Sequence, residues 1–168
     1  MLSSFPSSTR AARFALALAT AAALASPAFA DAQRDAMSRA AQRYLAFWNT
    51  GDESDARLAL APDFMDRTLP PGRPQGVEGP LFASKTFRAA VPDLKAQAEE
   101  MLLAGDRVVV RLRFTGHYTG SFRGKAGSGQ AVDFIATDIY RIANGRIAEN
   151  WHIEDNLTLL QQLGVVQP

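Results

Sequence analysis

The residues able to do chemistry gather near the C-terminus of this chain, in the stretch "DFIATDIYRIANGRIAENWHIEDNLTLLQQLG". Two runs of alternating character flank Asn144-Gly145, the strongest short hairpin signal. A two-residue loop pairs Ala143 with Arg146. It then sets Tyr140 opposite Glu149, Asp138 opposite Trp151 and Phe134 opposite Asp155. Because side chains alternate along a strand, one face carries Phe134, Asp138, Tyr140, Glu149, Trp151 and Asp155. The other carries Asp133, Arg141, Asn150, His152 and Glu154. A bulge in the hairpin would exchange these assignments. On the first face carboxylates lie among aromatic rings, where ionisation is costly and the pKa rises unless a cation or donor compensates. Such an acid is a candidate general base for removing a proton next to a carbonyl.

Structural roles compete for the same residues. Asp155 directly precedes an apolar helical pattern, "NLTLLQQLG", and aspartate is a favoured N-cap; Asn156 could take that role instead. Glu149 and Asp138 could pair with Arg111 or Arg113 across the sheet. Trp151 reads as core or pocket wall. Other chemistries have less support. His117 and His152 are the only histidines and share no ligand spacing, so no metal site is expected. No G-x-S-x-G elbow exists, and "RGKAGSGQ" lacks P-loop spacing and reads as a flexible rim loop. The absence of cysteine excludes thiol catalysis, disulfides and thiolate metal sites.

The elements that must position these residues follow from periodicity. Residues 32–48 repeat apolar positions at helical spacing, ending in Trp48, and Asp52 can cap a second short helix through "ESDARLAL". "APDFMDRTLPPGRPQG" holds four prolines and two glycines and reads as a loop. "VEGPLFASKTFRAA" reads as a helix that stops before Pro92. Beyond it come "LKAQAEEMLLA", "RVVVRLRFTGHYTG" and the hairpin, all strands. Helices first and an antiparallel sheet after them predict an α+β domain with the helices on one sheet face.

The first thirty residues have another character. Arg10 and Arg13 precede an alanine-rich apolar run that ends in Ala28-x-Ala30, the pattern of a secretory leader. The expected organisation is a signal peptide over 1–30 and one domain over 31–168, placing the protein outside the cytoplasm, in the periplasm or secreted. No membrane span would remain after cleavage. The mature chain would hold 16 basic and 17 acidic residues, a balance with no electrostatic reason to bind nucleic acid.

Taken in order, "YLAFWNTGD", "APDF", "VPDL", "AGDRVVVRLRFTGHYTG" and "DIYRIANGRIAENWHIEDNLTLLQQLGV" resemble the SnoaL-like polyketide cyclases, also called ester cyclases, of the NTF2-like superfamily. The resemblance runs from about Arg43 to Val165. It implies an NTF2-like cone, a curved antiparallel sheet with N-terminal helices packed on its concave face, and a homodimer. It also implies metal- and cofactor-free acid/base catalysis of an intramolecular aldol closure, with the family's tryptophan and aspartate falling on Trp151 and Asp155. The expected catalytic residue is therefore Asp155. The expected pocket residues are Trp151, Glu149, Phe134, Asp138, Tyr140, Tyr118, Arg111 and Trp48, around a hydrophobic small molecule. Two departures stand out: Tyr118 occupies the middle of "GHYTG", where the family often has histidine, and Arg67 lies near a second customary histidine position. Export also points away from a pathway polyketide as substrate. The alternative function is a non-catalytic domain that binds a hydrophobic molecule or acts through dimerisation.

Overall fold

The computed structural model describes residues 27–167; residues 1–26, which hold most of the expected leader, lie outside them. Helix α1 (Pro27–Thr50) buries Met37, Ala40, Ala41, Tyr44 and Phe47, the i, i+3, i+4 stripe of its sequence. Gly51, at φ +76, turns the chain, and Asp52 caps α2 (Glu53–Ala59) by accepting a 2.8 Å hydrogen bond from the Ser54 amide. Strand β1 (Leu60–Asp66) follows directly, then α3 (Glu78–Ala90), which ends ahead of Pro92. The remaining strands are β2 (Lys95–Ala104), β3 (Arg107–Tyr118), the short β4 (Ser121–Phe122) and β5 (Lys125–Ala126), β6 (Gln130–Ala143) and β7 (Arg146–Glu154). Helix α4 (Asn156–Gln162) closes the chain, with Gly164 at φ +65 just beyond it. No helix among the described residues is long and apolar enough to cross a membrane.

The main sheet has the order β1-β7-β6-β3-β2. Four strands are antiparallel, as their sequence order predicts. The fifth corrects the loop reading of "APDFMD", which is an edge strand parallel to β7. Pro62 is tolerated because an edge strand leaves some amides unpaired, and buried Leu60, Ala61, Phe64 and Asp66 tie the strand to the interior. The glycine-rich loop is likewise ordered: β4 and β5 form a small hairpin whose turn residues Arg123 and Gly124 both have positive φ. Gly120 lies so close to the Ala89 carbonyl oxygen that a Cβ there would collide, and its amide bonds the Ala90 carbonyl at 2.9 Å. The hairpin is thereby anchored on the end of α3.

The core lies between α1 and the inner sheet face. Tyr44 meets Tyr140 edge-on at 5.7 Å, Trp48 meets Phe114 at 5.8 Å, and Phe114 stacks on Phe134 at 5.1 Å. Two bulges bend the sheet around this core. One leaves Glu99 unpaired in β2; the other lies in β7, where Ile142 pairs with Ile147 but Arg141 pairs with Glu149, so that Ala148 is the extra residue.

Candidate functional site

Asn144 and Gly145 have φ of 51 and 71, the conformation of a two-residue hairpin turn, and the register starts as the sequence predicts, with Ala143 opposite Arg146. The bulge at Ala148 then shifts every later pair by one residue: Tyr140 faces Asn150, Asp138 faces His152 and Ala136 faces Glu154. A one-residue shift turns the whole remainder of the strand over. Asn150, His152 and Glu154 therefore point inward beside Asp138, while Glu149, Trp151 and Ile153 point outward.

This overturns part of the expected site. Glu149 lies on the outer face, 2.7 Å from Arg67 and 2.7 Å from Arg141; hydrogen bonds from Arg67 and then Arg141 hold its carboxyl down at about 2. Trp151 lies there too, under the Arg107 guanidinium at 4.5 Å. Arg111 pairs with Glu99 across the outer face, at 2.8 Å. Tyr118 is wholly buried, but its hydroxyl donates to the Lys125 carbonyl and accepts from the Phe122 amide, holding the β4–β5 hairpin rather than facing a cavity. Asp155 is the N-cap of α4. Its carboxylate accepts from the Thr158 amide at 3.0 Å and the Thr158 hydroxyl at 2.7 Å, and those bonds lower its pKa. Replacing Asp155 by alanine is expected to lower the melting temperature by a few degrees through loss of the cap. Activity at saturating substrate should stay within twofold of wild type, on the order of a bystander's effect. A loss of turnover as large as that from a pocket acid would overturn the capping assignment.

The cavity behind the sheet is lined by a different set. Trp48, Phe114, Phe134 and Phe87 supply apolar walls, and Asp138, Asn150, His152, Glu154, Asp66 and Tyr44 supply polar groups. Its volume is about 30 Å³, room for about two waters. Asp138 is 6% exposed. Its Oδ2 accepts from the Tyr140 hydroxyl at 2.7 Å, leaving Oδ1 uncommitted to that bond. Burial pushes this carboxyl up to about 6, against the opposing effect of the Tyr140 hydrogen bond and the His152 charge. Tyr140 sits behind Asp138; both it and Tyr44 are raised well above the usual phenol range, by burial first and by the Asp138 charge second. They are hydrogen-bond donors across the physiological range.

His152 is the centre of a second group. Its Nε2–H points at both Asp66 oxygens, at 3.1 and 3.0 Å, and its Nδ1–H donates to Glu154 Oε1 at 2.7 Å. Burial alone would push the imidazole down, but the two carboxylates outweigh it and raise the pKa to about 9. An imidazolium thus holds two acids at the cavity wall. The positions are set locally: Gln75 clamps the end of β1 by bonding both the amide and carbonyl of Asp66, at 2.7 and 2.9 Å, and the Thr68 amide donates to Asp66 Oδ1 at 2.9 Å. The same loop carries Arg73 to the cavity. The Asn150 Oδ1 atom is buried without a partner, an available acceptor beside Asp138.

Sequence reasoning missed Asp66, His152, Glu154, Asn150, Tyr44 and Arg73 as a group. One signal pointed to the bulge. Ile147 and Ala148 are adjacent apolar residues in a strand that otherwise alternates, and both are buried. Two successive inward residues are what a bulge permits.

With that geometry in place, the chain can be set beside known proteins. The family profile of the SnoaL-like polyketide cyclases matches residues 38–163. Among curated proteins there is no match. A candidate polyketide cyclase of Bacillus cereus has a similar solved structure, with 45% identity and a TM-score of 0.71, over 78% of this chain and 82% of that one. TsrD of Streptomyces laurentii is 28% identical with a TM-score of 0.71, over 79% of this chain and 98% of its own. IdmH of Streptomyces antibioticus, also a candidate polyketide cyclase, is 29% identical with a TM-score of 0.67, over 79% and 98%.

Proposed function

The chain belongs to the SnoaL-like polyketide cyclase family, and from that premise we propose that it is a cyclase- or isomerase-type acid/base catalyst acting on a hydrophobic small molecule with side chains alone. The observation that carries this reading is Asp138, a buried carboxyl that faces an aromatic cavity and has one oxygen engaged by a phenol. In the proposed reaction Asp138 Oδ1 takes a proton from carbon next to a carbonyl. The C–H electron pair becomes the enolate, whose oxygen is stabilised by donors at the wall: the Tyr44 hydroxyl, the Asn150 amide and the field of the His152 imidazolium. The enolate carbon then attacks a second carbonyl, and the proton held on Asp138 goes to the new alkoxide. In an isomerisation the same proton returns to a different carbon.

The test is deuterium exchange at the acidic carbon of an aromatic β-keto ester, ethyl benzoylacetate, followed by NMR. Catalysed exchange above the buffer rate supports a working base, and exchange at the buffer rate sinks it. A second reading, a domain that binds a hydrophobic molecule without transforming it, is favoured by the cavity volume of about 30 Å³, which admits little more than a carbonyl group. Saturable binding of the ester with exchange at the buffer rate would select it.

Export and dimerisation complete the proposal. The leader-like segment over 1–30 supports a periplasmic or secreted location. The outer sheet face supports a homodimer: Ile135, Ile139 and Ile153 are 50%, 38% and 76% exposed on it, ringed by the ion pairs of Arg111, Arg113 and Arg141. Sedimentation is expected to give twice the chain mass for wild type and the single-chain mass for Ile135→Lys/Ile153→Lys. A wild type that sediments as one chain refutes this interface.

A further inference from the structure

Next to the inner cavity lies a much larger chamber of about 870 Å³. The two share Arg73, Phe87 and Glu154 as lining residues and therefore lie side by side. Its apolar wall comes from Phe82 and Phe87 of α3, Phe122 of the small hairpin, and Leu159 and Leu160 of α4. Phe82 is 53% exposed there, so the apolar wall opens to solvent.

Three cations stand among these apolar groups: Arg73, Lys85 and Arg123. None of them forms an ion pair with another described residue, whereas the arginines of the outer sheet face, at 107, 111, 113 and 141, are all neutralised by carboxylates. Arg123 lies over the Phe122 ring at 5.2 Å. The chamber's one carboxylate, Glu154, is engaged by His152 at 2.7 Å; Arg73 is near enough to lower its pKa without pairing with it. Broad apolar surface with unneutralised cations and a narrow polar cavity at its base make an unusual combination for a site that takes a neutral molecule.

We propose that the ligand of this site has two parts: a small carbonyl end that enters the inner cavity, and a broad apolar body bearing an anionic group that lies in the outer chamber against Arg73, Lys85 and Arg123. The carbonyl end rests on the acid/base reading above; the anionic body does not. The division follows from size, because the inner cavity holds the volume of about two waters and a ring system must stay outside it.

Two dyes with one skeleton test the anionic body: 8-anilinonaphthalene-1-sulfonate and N-phenyl-1-naphthylamine, which lacks the sulfonate. Fluorescence titration of the folded protein at low salt is expected to show the sulfonate binding about tenfold more tightly, the sum of a few exposed charge contacts. The preference should shrink as salt is added. It should shrink to about twofold in Lys85→Gln/Arg123→Gln, which keeps only Arg73 and changes two exposed positions without touching the core, and Phe82→Ser should weaken both dyes. Asp138→Asn should keep the preference unchanged, so a failed exchange assay with a retained preference would strike the catalytic reading alone. Equal affinity for the two dyes, binding of neither, or a preference undiminished in Lys85→Gln/Arg123→Gln overturns the proposal.

Discussion

Asp138→Asn is expected to lower the catalysed exchange of ethyl benzoylacetate by about 10²–10⁴-fold, the usual contribution of a positioned general base, and at the same time to make the protein more stable. The two effects have one cause. The carboxyl ordinarily titrates near 3.8, and burial raises it to about 6 in the folded chain. A folded pKa above the unfolded one means that the folded state binds the proton more tightly. The stability cost of ionising Asp138 therefore appears as pH rises from about 3.8 to about 6 and is complete above that range. Asparagine carries no charge and can still accept from Tyr140, so stability at pH 7 should rise by about 2–3 kcal/mol. The wild-type exchange rate should climb through about pH 6 as the base ionises, and fall through about pH 9 as His152 loses its proton. Urea unfolding and exchange measured on the same two proteins would decide it. A variant that is less stable, or that still catalyses exchange with the lower pH limb intact, would remove Asp138 from the chemistry.

His152→Leu should act in the opposite direction on stability. It leaves Asp66 and Glu154 beside each other at a buried wall with no cation between them, a change that costs about 3–5 kcal/mol. The dependence on pH has the same sign as for Asp138, because both folded pKa values are raised, but it falls in a higher window. An imidazole raised from 6.5 to about 9 contributes stability that is fully present below pH 6.5 and lost as pH rises through 9. The wild type should lose about 3 kcal/mol across that window, and the variant should show no such loss. Denaturant midpoints at pH 6, 7, 8 and 9 supply the measurement. A wild type equally stable at pH 6 and pH 9 would mean that the imidazole is neutral in the fold.

Local patterns exposed much of the architecture because each has a nearby physical cause. The helical stripe of α1, the stop before Pro92 and the Asn144-Gly145 turn depend on neighbours in sequence, and they appear where expected. β1 was hidden because proline signals a loop, while the pairing that makes "APDFMD" a strand comes from β7, over eighty residues away. The site suffered from a finer version of the same problem. Phe134, Asp138 and Trp48 line the cavity, since their faces are set before the bulge or on another element. The bulge turns over every residue of β7 past Ala148, whereas strict alternation from the turn puts His152 and Glu154 outward and Trp151 and Glu149 inward. The choice between pocket and cap for Asp155 depended on which group reached it first, and the Thr158 amide is three residues away.

Ala148 also makes the hairpin a two-letter code with a reading frame. Along β7 the alternate positions spell two different surfaces, one of asparagine, histidine and glutamate, the other of glutamate, tryptophan and isoleucine. Both are written in the same nine residues, and the count of residues between the turn and residue 149 selects which is displayed inward. Deleting one residue there would change no chemistry in the remaining alphabet, yet it would exchange the hidden message for the visible one. In such a strand an insertion or deletion is a larger functional step than any single substitution, because it edits every position downstream at once.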